Sequence, residues 1–365
     1  MRTMSFLPRI LIFFSGLALA SEAGQASYQV KVDLSKVERV SKTTATLQVV
    51  VNPLLRRSSA IHARVFRAMK GLEADDLRYV PWLPFPKLAV AELDPPKNGK
   101  TYWDFSLIDP MTIDFFEATK GHEPILNFST IPQWMLQTVK PVLCPPDPDQ
   151  GTWEYEQGTE FRDQNMEEFG NYYARLVSWY TQGGFSDENG QRHDSGYHYK
   201  IRYWEVLNEV DLEHRMTPQQ YAACYDAIVS AIRRIQSNMK FIGPALALPS
   251  TNPQFFEYFL DHQHHKPGIP LDMISYHFYA VPQPDETPEI QQFTFFQQAD
   301  HFIDTANYID SIRQRLSPET GTAINELRCI SADDLDQQKP GHVTKRFRTP
   351  TGASAVQCLP MFTDA

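Results

Sequence analysis

Positive charge is in deficit: 34 Lys and Arg stand against 44 Asp and Glu, for a formal net charge of −10. With no basic field to recruit a polyanion, nucleic acid and anionic membrane surfaces are excluded as expected partners. Cysteine is scarce as well, with four in 365 residues. Cys144, Cys224, Cys329 and Cys358 show neither zinc-ligand spacing nor a redox motif. Three pairings stay open if all four are bridged, but Cys224 falls on the apolar stripe of a predicted helix, where a buried free thiol is expected. No glycine-rich phosphate loop, Gly-x-Ser-x-Gly elbow or His-Glu-x-x-His pair occurs, so no cofactor and no metal is expected. The histidines of Asp261-His262-Gln263-His264-His265-Lys266 lack a carboxylate at ligand spacing and read as a solvated turn.

Long apolar runs are missing beyond the N-terminus, so no later membrane span is expected. At the N-terminus, Arg2 and Arg9 precede the apolar run from Ile10 to Ala20, which ends in Ala18-Leu19-Ala20 before Ser21. A basic start, a short apolar centre and a small-residue exit predict a secretory signal peptide over 1–20 and a secreted, extracellular protein. The run is too short for the ~20 residues that a membrane span needs.

What is present is enough apolar and aromatic content, 42% and 12%, for one large core. Strand-like segments rich in β-branched and aromatic residues lie at 45–51, 77–82, 123–128, 201–207, 241–243, 272–277 and 322–326. Helical periodicity separates most of them. Phe169, Tyr172, Tyr173, Leu176, Val177 and Tyr180 recur at helical spacing, and Gly183-Gly184 ends that helix. Thr217, Pro218 and Gln220 form a helix start with a capping box, followed by the stripe Tyr221, Cys224, Tyr225, Ile228, Ile232 and Ile235. Alternation with long connections predicts a parallel sheet of the (β/α)₈ barrel type. An eighth strand and helix are not recognisable after Glu326, so the barrel is expected over 28–345 but incomplete, with a low-structure tail at 346–365. One sequon, Asn127-Phe128-Ser129, falls in a predicted buried strand and is not expected to carry a glycan.

Two of these strands end in the same dipeptide, Asn208-Glu209 on the fourth and Asn325-Glu326 on the seventh. Amide and carboxylate groups at the mouth of an apolar strand cost free energy unless water or a ligand meets them. Barrel enzymes keep their chemistry there. Strands four and seven face each other across a barrel, which suits two carboxyls flanking a glycosidic bond, one as proton donor and one as nucleophile or base.

The stretch Trp204-Glu205-Val206-Leu207-Asn208-Glu209-Val210-Asp211, with Ser275-Tyr276-His277-Phe278-Tyr279 and Glu326, resembles glycoside hydrolase family 39, within the clan of retaining barrel glycosidases. That family includes β-xylosidases and α-L-iduronidases, and the resemblance runs approximately from Val51 to Lys345. It implies Glu209 as acid/base, Glu326 as nucleophile and Asn208 as a partner of the sugar 2-hydroxyl. It also implies His277 and Tyr279 as residues near the nucleophile, and a carbohydrate substrate. Trp134 is a candidate to stack on a sugar face, with a core role equally open, and Trp82 is a weaker one. The rival expectation is a truncated, catalytically silent carbohydrate-binding or unstable chain.

Overall fold

The computed structural model describes residues 46–330 except 141, 156, 157 and 284, together with 33, 35–37, 40, 43 and 44. The expected signal peptide, the tail and Cys358 lie outside the described residues. By its contacts the chain divides into Met1–Val40 and Ser41–Ala365. Among the described residues of the first unit, Asp33 accepts from the backbone N–H and hydroxyl of Ser35. The second unit carries the sheets and the helices.

In chain order its elements are β1 (Thr46–Val50), α1 (His62–Leu72), β2 (Asp76–Val80), α2 (Asp109–Ala118), β3 (Glu123–Leu126), α3 (Glu167–Thr181), β4 (Gly184–Ser186) and β5 (Arg192–Asp194). Then follow β6 (Tyr203–Glu205), α4 (Pro218–Arg233), β7 (Lys240–Leu246), α5 (Gln254–Phe259), β8 (Met273–Ala280), α6 (Pro288–Leu316) and β9 (Gly321–Cys329). The seven expected strands form one sheet in the order β1-β2-β3-β6-β7-β8-β9, and every pairing is parallel. A doubly wound open sheet reverses its strand order at a switch point, whereas here the order follows the chain throughout, as in a barrel. Arg78 of β2 donates through one nitrogen, Nη1, to both Gln48 of β1 and Glu326 of β9, so the two outer strands approach each other and the barrel is nearly closed. Among the described residues the sheet has no eighth strand, and the segment after Ile330 lies outside them.

The core forms where the periodicity predicts it. Every member of the α3 stripe is at most 1% exposed. The capping box of α4 is made in full, with Thr217 Oγ1 accepting from the Gln220 N–H and Gln220 Oε1 accepting from the Thr217 N–H. Cys224 is buried and free, as expected. Trp204 of β6 is buried and stacks nearly parallel on Phe128, which places a large aromatic surface under the barrel mouth. No helix among the described residues is long and apolar enough to cross a membrane.

Four expectations change. Ile235 is exposed because α4 ends at Arg233, so the residue leaves the buried stripe. Gly183-Gly184 ends α3 but leads at once into a hairpin, β4 paired antiparallel with β5, whose three-residue strands are too short to show a period. The seventh barrel strand does not stop at Glu326 but pairs with β8 as far as Cys329. His265 is not solvated: it is buried, with Nδ1 2.7 Å from Asp226 of α4 and Nε2 2.7 Å from the Phe259 carbonyl. Its carboxylate partner comes from another element, which local spacing does not reveal.

One glycine in the barrel is there for space. A Cβ on Gly243 of β7 would lie 1.9 Å from the hydroxyl of Tyr221, a fully buried ring that donates to the Val206 carbonyl. Gly243→Ala must displace that ring, and a loss of roughly 1–3 kcal/mol is expected, as for other overpacked cores. The shift of a cooperative urea transition measures it.

Candidate active site

β6 ends at Glu205, and the next four residues make a strained turn. Leu207 (φ 62°), Glu209 (φ 42°) and Ala245, at the facing exit of β7 (φ 53°), all adopt the left-handed conformation that side chains disfavour. They brace one another, since the Glu209 N–H donates to the Ala245 carbonyl at 2.9 Å and the Ala245 N–H to Ser275 Oγ at 3.0 Å. Such conformations cost about 1–3 kcal/mol each and persist where surrounding contacts over-determine them, often at functional sites. Here the turn presents Asn208 and Glu209 at the barrel mouth.

Glu326 arrives from β9 through a second irregularity. The register with β8 shifts between Tyr276, opposite Ile324, and His277, opposite Glu326, leaving Asn325 as the extra residue. In a regular strand Asn325 and Glu326 would point to opposite faces. With the bulge both reach the same buried network, Asn325 donating to Glu205 at 2.5 Å and Glu326 accepting from Arg78 at 2.8 Å.

Five of the six expected site residues come together, with Glu209 and Glu326 at the centre. His277 Nδ1 lies 3.0 Å from Glu209 Oε1 and 3.6 Å from Glu326 Oε2. The ligating atoms of Glu209, His277 and Glu326 all fall within 4.8 Å of one another. Among the described residues those three are also the side chains that could hold a cation by distance, although Glu326 is already engaged by Arg78 and by the hydroxyl of Tyr279. Asn208 is buried and bonded to Arg78, and Tyr279 donates to Glu326. Trp134 belongs elsewhere: it is buried in the main core, and its indole N–H is spent on the Glu92 carbonyl at 2.9 Å. Of the two candidate indoles it is Trp82 that reaches the site, through Glu213.

Two further residues at the heart of the site carry a signal in the sequence. Arg78 is fully buried in β2, with Nε on Glu205 at 2.5 Å, Nη1 on Gln48 and Glu326, and Nη2 on Asn208 at 2.6 Å. Glu205, buried between Trp204 and Val206, also accepts from Asn127, Ser275 and Asn325. An ionisable residue inside an otherwise buried strand has to be paired, so each announced a partner, though not its identity. Asn127 of the sequon donates to Glu205 and to the Leu207 carbonyl, so its amide nitrogen is committed inside the fold.

The electrostatics follow from this wiring. Burial raises the Glu326 carboxyl, but the charges of His277 and Arg78, with hydrogen bonds from Tyr279 and Gln48, outweigh it and hold the group below its ordinary range. Burial and the charge on Glu326 push the Tyr279 hydroxyl up, so it stays a donor. Burial first, then the charge of Glu209, push Glu213 up to about 8. The site thus combines a carboxyl of lowered proton affinity at Glu326 with one of raised proton affinity one turn from Glu209.

Comparison with protein families matches residues 152–325 to Glycosyl hydrolases family 39, a span that includes Asn208, Glu209, His277 and Tyr279 and stops one residue before Glu326. Comparison with curated proteins finds no match. Among solved structures, the bacterial orthologue of human α-L-iduronidase is similar at 13% identity and a TM-score of 0.50, over 79% of this chain and 41% of that one. A monomeric β-xylosidase from Caulobacter crescentus CB15 is similar at 16% identity and a TM-score of 0.49, over 78% of this chain and 52% of that one. The chain therefore spans about half the length of these solved proteins or less. The first likeness agrees with the barrel architecture seen here. Within the nearly closed (β/α) barrel, residues 152–325 of this chain match Glycosyl hydrolases family 39.

Proposed function

We propose that the protein is a secreted retaining glycoside hydrolase that cleaves O-glycosyl bonds by double displacement. The observation that carries this reading is the spacing of the two carboxylates, with oxygens of Glu209 and Glu326 within 4.8 Å of each other. Retaining enzymes hold their carboxyls about 5–5.5 Å apart, whereas inverting ones need room for a water, about 6.5–9.5 Å.

In the first step the Glu326 carboxylate attacks the anomeric carbon while Glu209 gives its proton to the glycosidic oxygen. The bond to the leaving group breaks, and a glycosyl ester forms on Glu326. In the second step Glu209 takes a proton from water, whose oxygen attacks the same carbon and releases Glu326. Low proton affinity at Glu326 favours its starting state, which agrees with the direction of its shift. Arg78 and Tyr279 aim the carboxylate, and His277 lies between the two acids. Arg78 takes the Asn208 carbonyl, which turns the N–H side of that amide toward the sugar 2-hydroxyl.

The test is the stereochemistry of the first product. A panel of 4-nitrophenyl glycosides identifies a cleaved sugar, and NMR of the fresh hydrolysate reports its anomeric form. Retention is expected; an inverted product would assign the gap between the carboxylates to a water molecule instead.

A further inference from the structure

Glu213 stands beside the carboxylate pair, one helical turn after Glu209, and the cycle above gives it no step. Its backbone N–H donates to the Glu209 carbonyl at 2.7 Å. Its carboxylate joins two elements: Oε1 accepts from the indole N–H of Trp82, just beyond β2, at 2.6 Å, and Oε2 accepts from Asn208 Nδ2 at 3.3 Å. Asn208 is held at its other end, where Oδ1 accepts from Arg78 Nη2 at 2.6 Å.

The inventory of the amide decides what these contacts do. A primary amide offers one carbonyl and two N–H groups, and a guanidinium has only donors, so the carbonyl has to face Arg78. One N–H then goes to Glu213, and a single N–H is left for a ligand. Arg78 alone would fix the carbonyl but leave the amide plane free to rock about that bond. A second anchor, itself held by Trp82, removes that freedom.

We infer that Glu213 is a positioning residue: anchored by Trp82, it sets the plane of the Asn208 amide so that its remaining N–H meets the 2-hydroxyl of the sugar. The inference rests on the glycosidase reading for its ligand, but not for its geometry. The same clamp makes Asn208 respond to the proton on Glu213. The charged groups around it are Glu209 and His214 from its own turn, Arg78 from β2 at the far end of Asn208, and His277 from β8 at the far end of Glu209.

Two measurements test the clamp. In the first, wild type and Glu213→Gln are compared on 4-nitrophenyl β-D-xyloside and its 2-deoxy analogue. Glutamine keeps the shape but brings an N–H against the Asn208 N–H. The preference for the 2-hydroxy substrate, as a ratio of kcat/KM values, should fall about tenfold, the scale of one hydrogen bond. Asn208→Ala should remove the same preference, with Glu213→Gln adding nothing further in that background. Equal losses on both substrates, as general damage to the fold would give, or no loss on either, overturn the assignment.

The second measurement needs no turnover. In protein labelled with ¹⁵N at asparagine, the side-chain N–H pair of Asn208, identified by its loss in Asn208→Ala, should move as Glu213 titrates near pH 8, to about which its carboxyl is raised. In Glu213→Gln it should stay still. A wild-type pair that ignores this pH range refutes the clamp whether or not the protein cleaves glycosides. A responsive pair in a protein that cleaves none keeps the clamp and removes only the catalytic reading.

Discussion

Glu326→Ala should abolish hydrolysis of an aryl glycoside, with a loss on the order of 10⁶-fold, the scale seen when a catalytic nucleophile is deleted. The expectation follows from the proposed role of the group: without a carboxylate on β9 no glycosyl ester can form there, and the hydroxyl bonded to it is a poor substitute. Tyr279 is the nearest candidate, but its hydroxyl is a donor whose proton is held more tightly than usual. Glu209→Gln should be milder, about 10² to 10⁴-fold, because it removes general acid–base help and leaves the nucleophile in place. The Glu209→Gln loss should shrink further for substrates whose leaving group departs without protonation. Steady-state rates on one substrate with a good leaving group and one with a poor leaving group check both statements. Retained turnover in Glu326→Ala would end the assignment of that residue.

Arg78→Met should be the most damaging change to the fold. The guanidinium is buried and paired with two carboxylates, Glu205 and Glu326, of which Glu205 is itself fully buried. Removing one partner of a buried ion pair leaves charge without compensation, at a cost of about 3–5 kcal/mol. The urea midpoint of wild type against Arg78→Met measures it, and Arg78→Met combined with Glu205→Gln should recover part of the loss because fewer charges are then stranded. The pH dependence gives an independent readout. In the wild type Glu326 is shifted down from 4.5, so it contributes stability that is present above that value and is lost as pH falls through the folded pKa. Without Arg78 one of the groups opposing burial is gone, so the Glu326 pKa should rise. The acid limb of kcat/KM should then move to higher pH. An unmoved limb would mean that Arg78 does not set the charge state of Glu326.

Much of the frame was legible because it follows from local periodicity. The seven barrel strands, the α3 stripe and the capping box of α4 each announce themselves within a few residues, and burial follows the period. The Asn-Glu pairs were legible for a different reason, since polar groups at the end of an apolar run need a partner. The pairing of His265 with Asp226 and of Trp82 with Glu213 was not, because those partners lie 39 and 131 residues apart. Trp134 shows the same limit from the other side, as an indole beyond a strand looks alike in sequence whether it stacks on a sugar or, as here, donates to a buried carbonyl.

By itself the sequence determined that this chain builds a parallel strand–helix barrel and that Asn208-Glu209 and Glu326 stand at its mouth, since period and polarity are properties of short segments. Only the tertiary structure decided that Arg78 ties Glu205, Asn208 and Glu326 together, that a bulge at Asn325 turns two neighbouring side chains into one network, and that Glu213 joins Trp82 to Asn208. The physical reason is that a buried charge or amide is satisfied by whatever the folded barrel brings within about 3 Å, a distance with no counterpart along the chain.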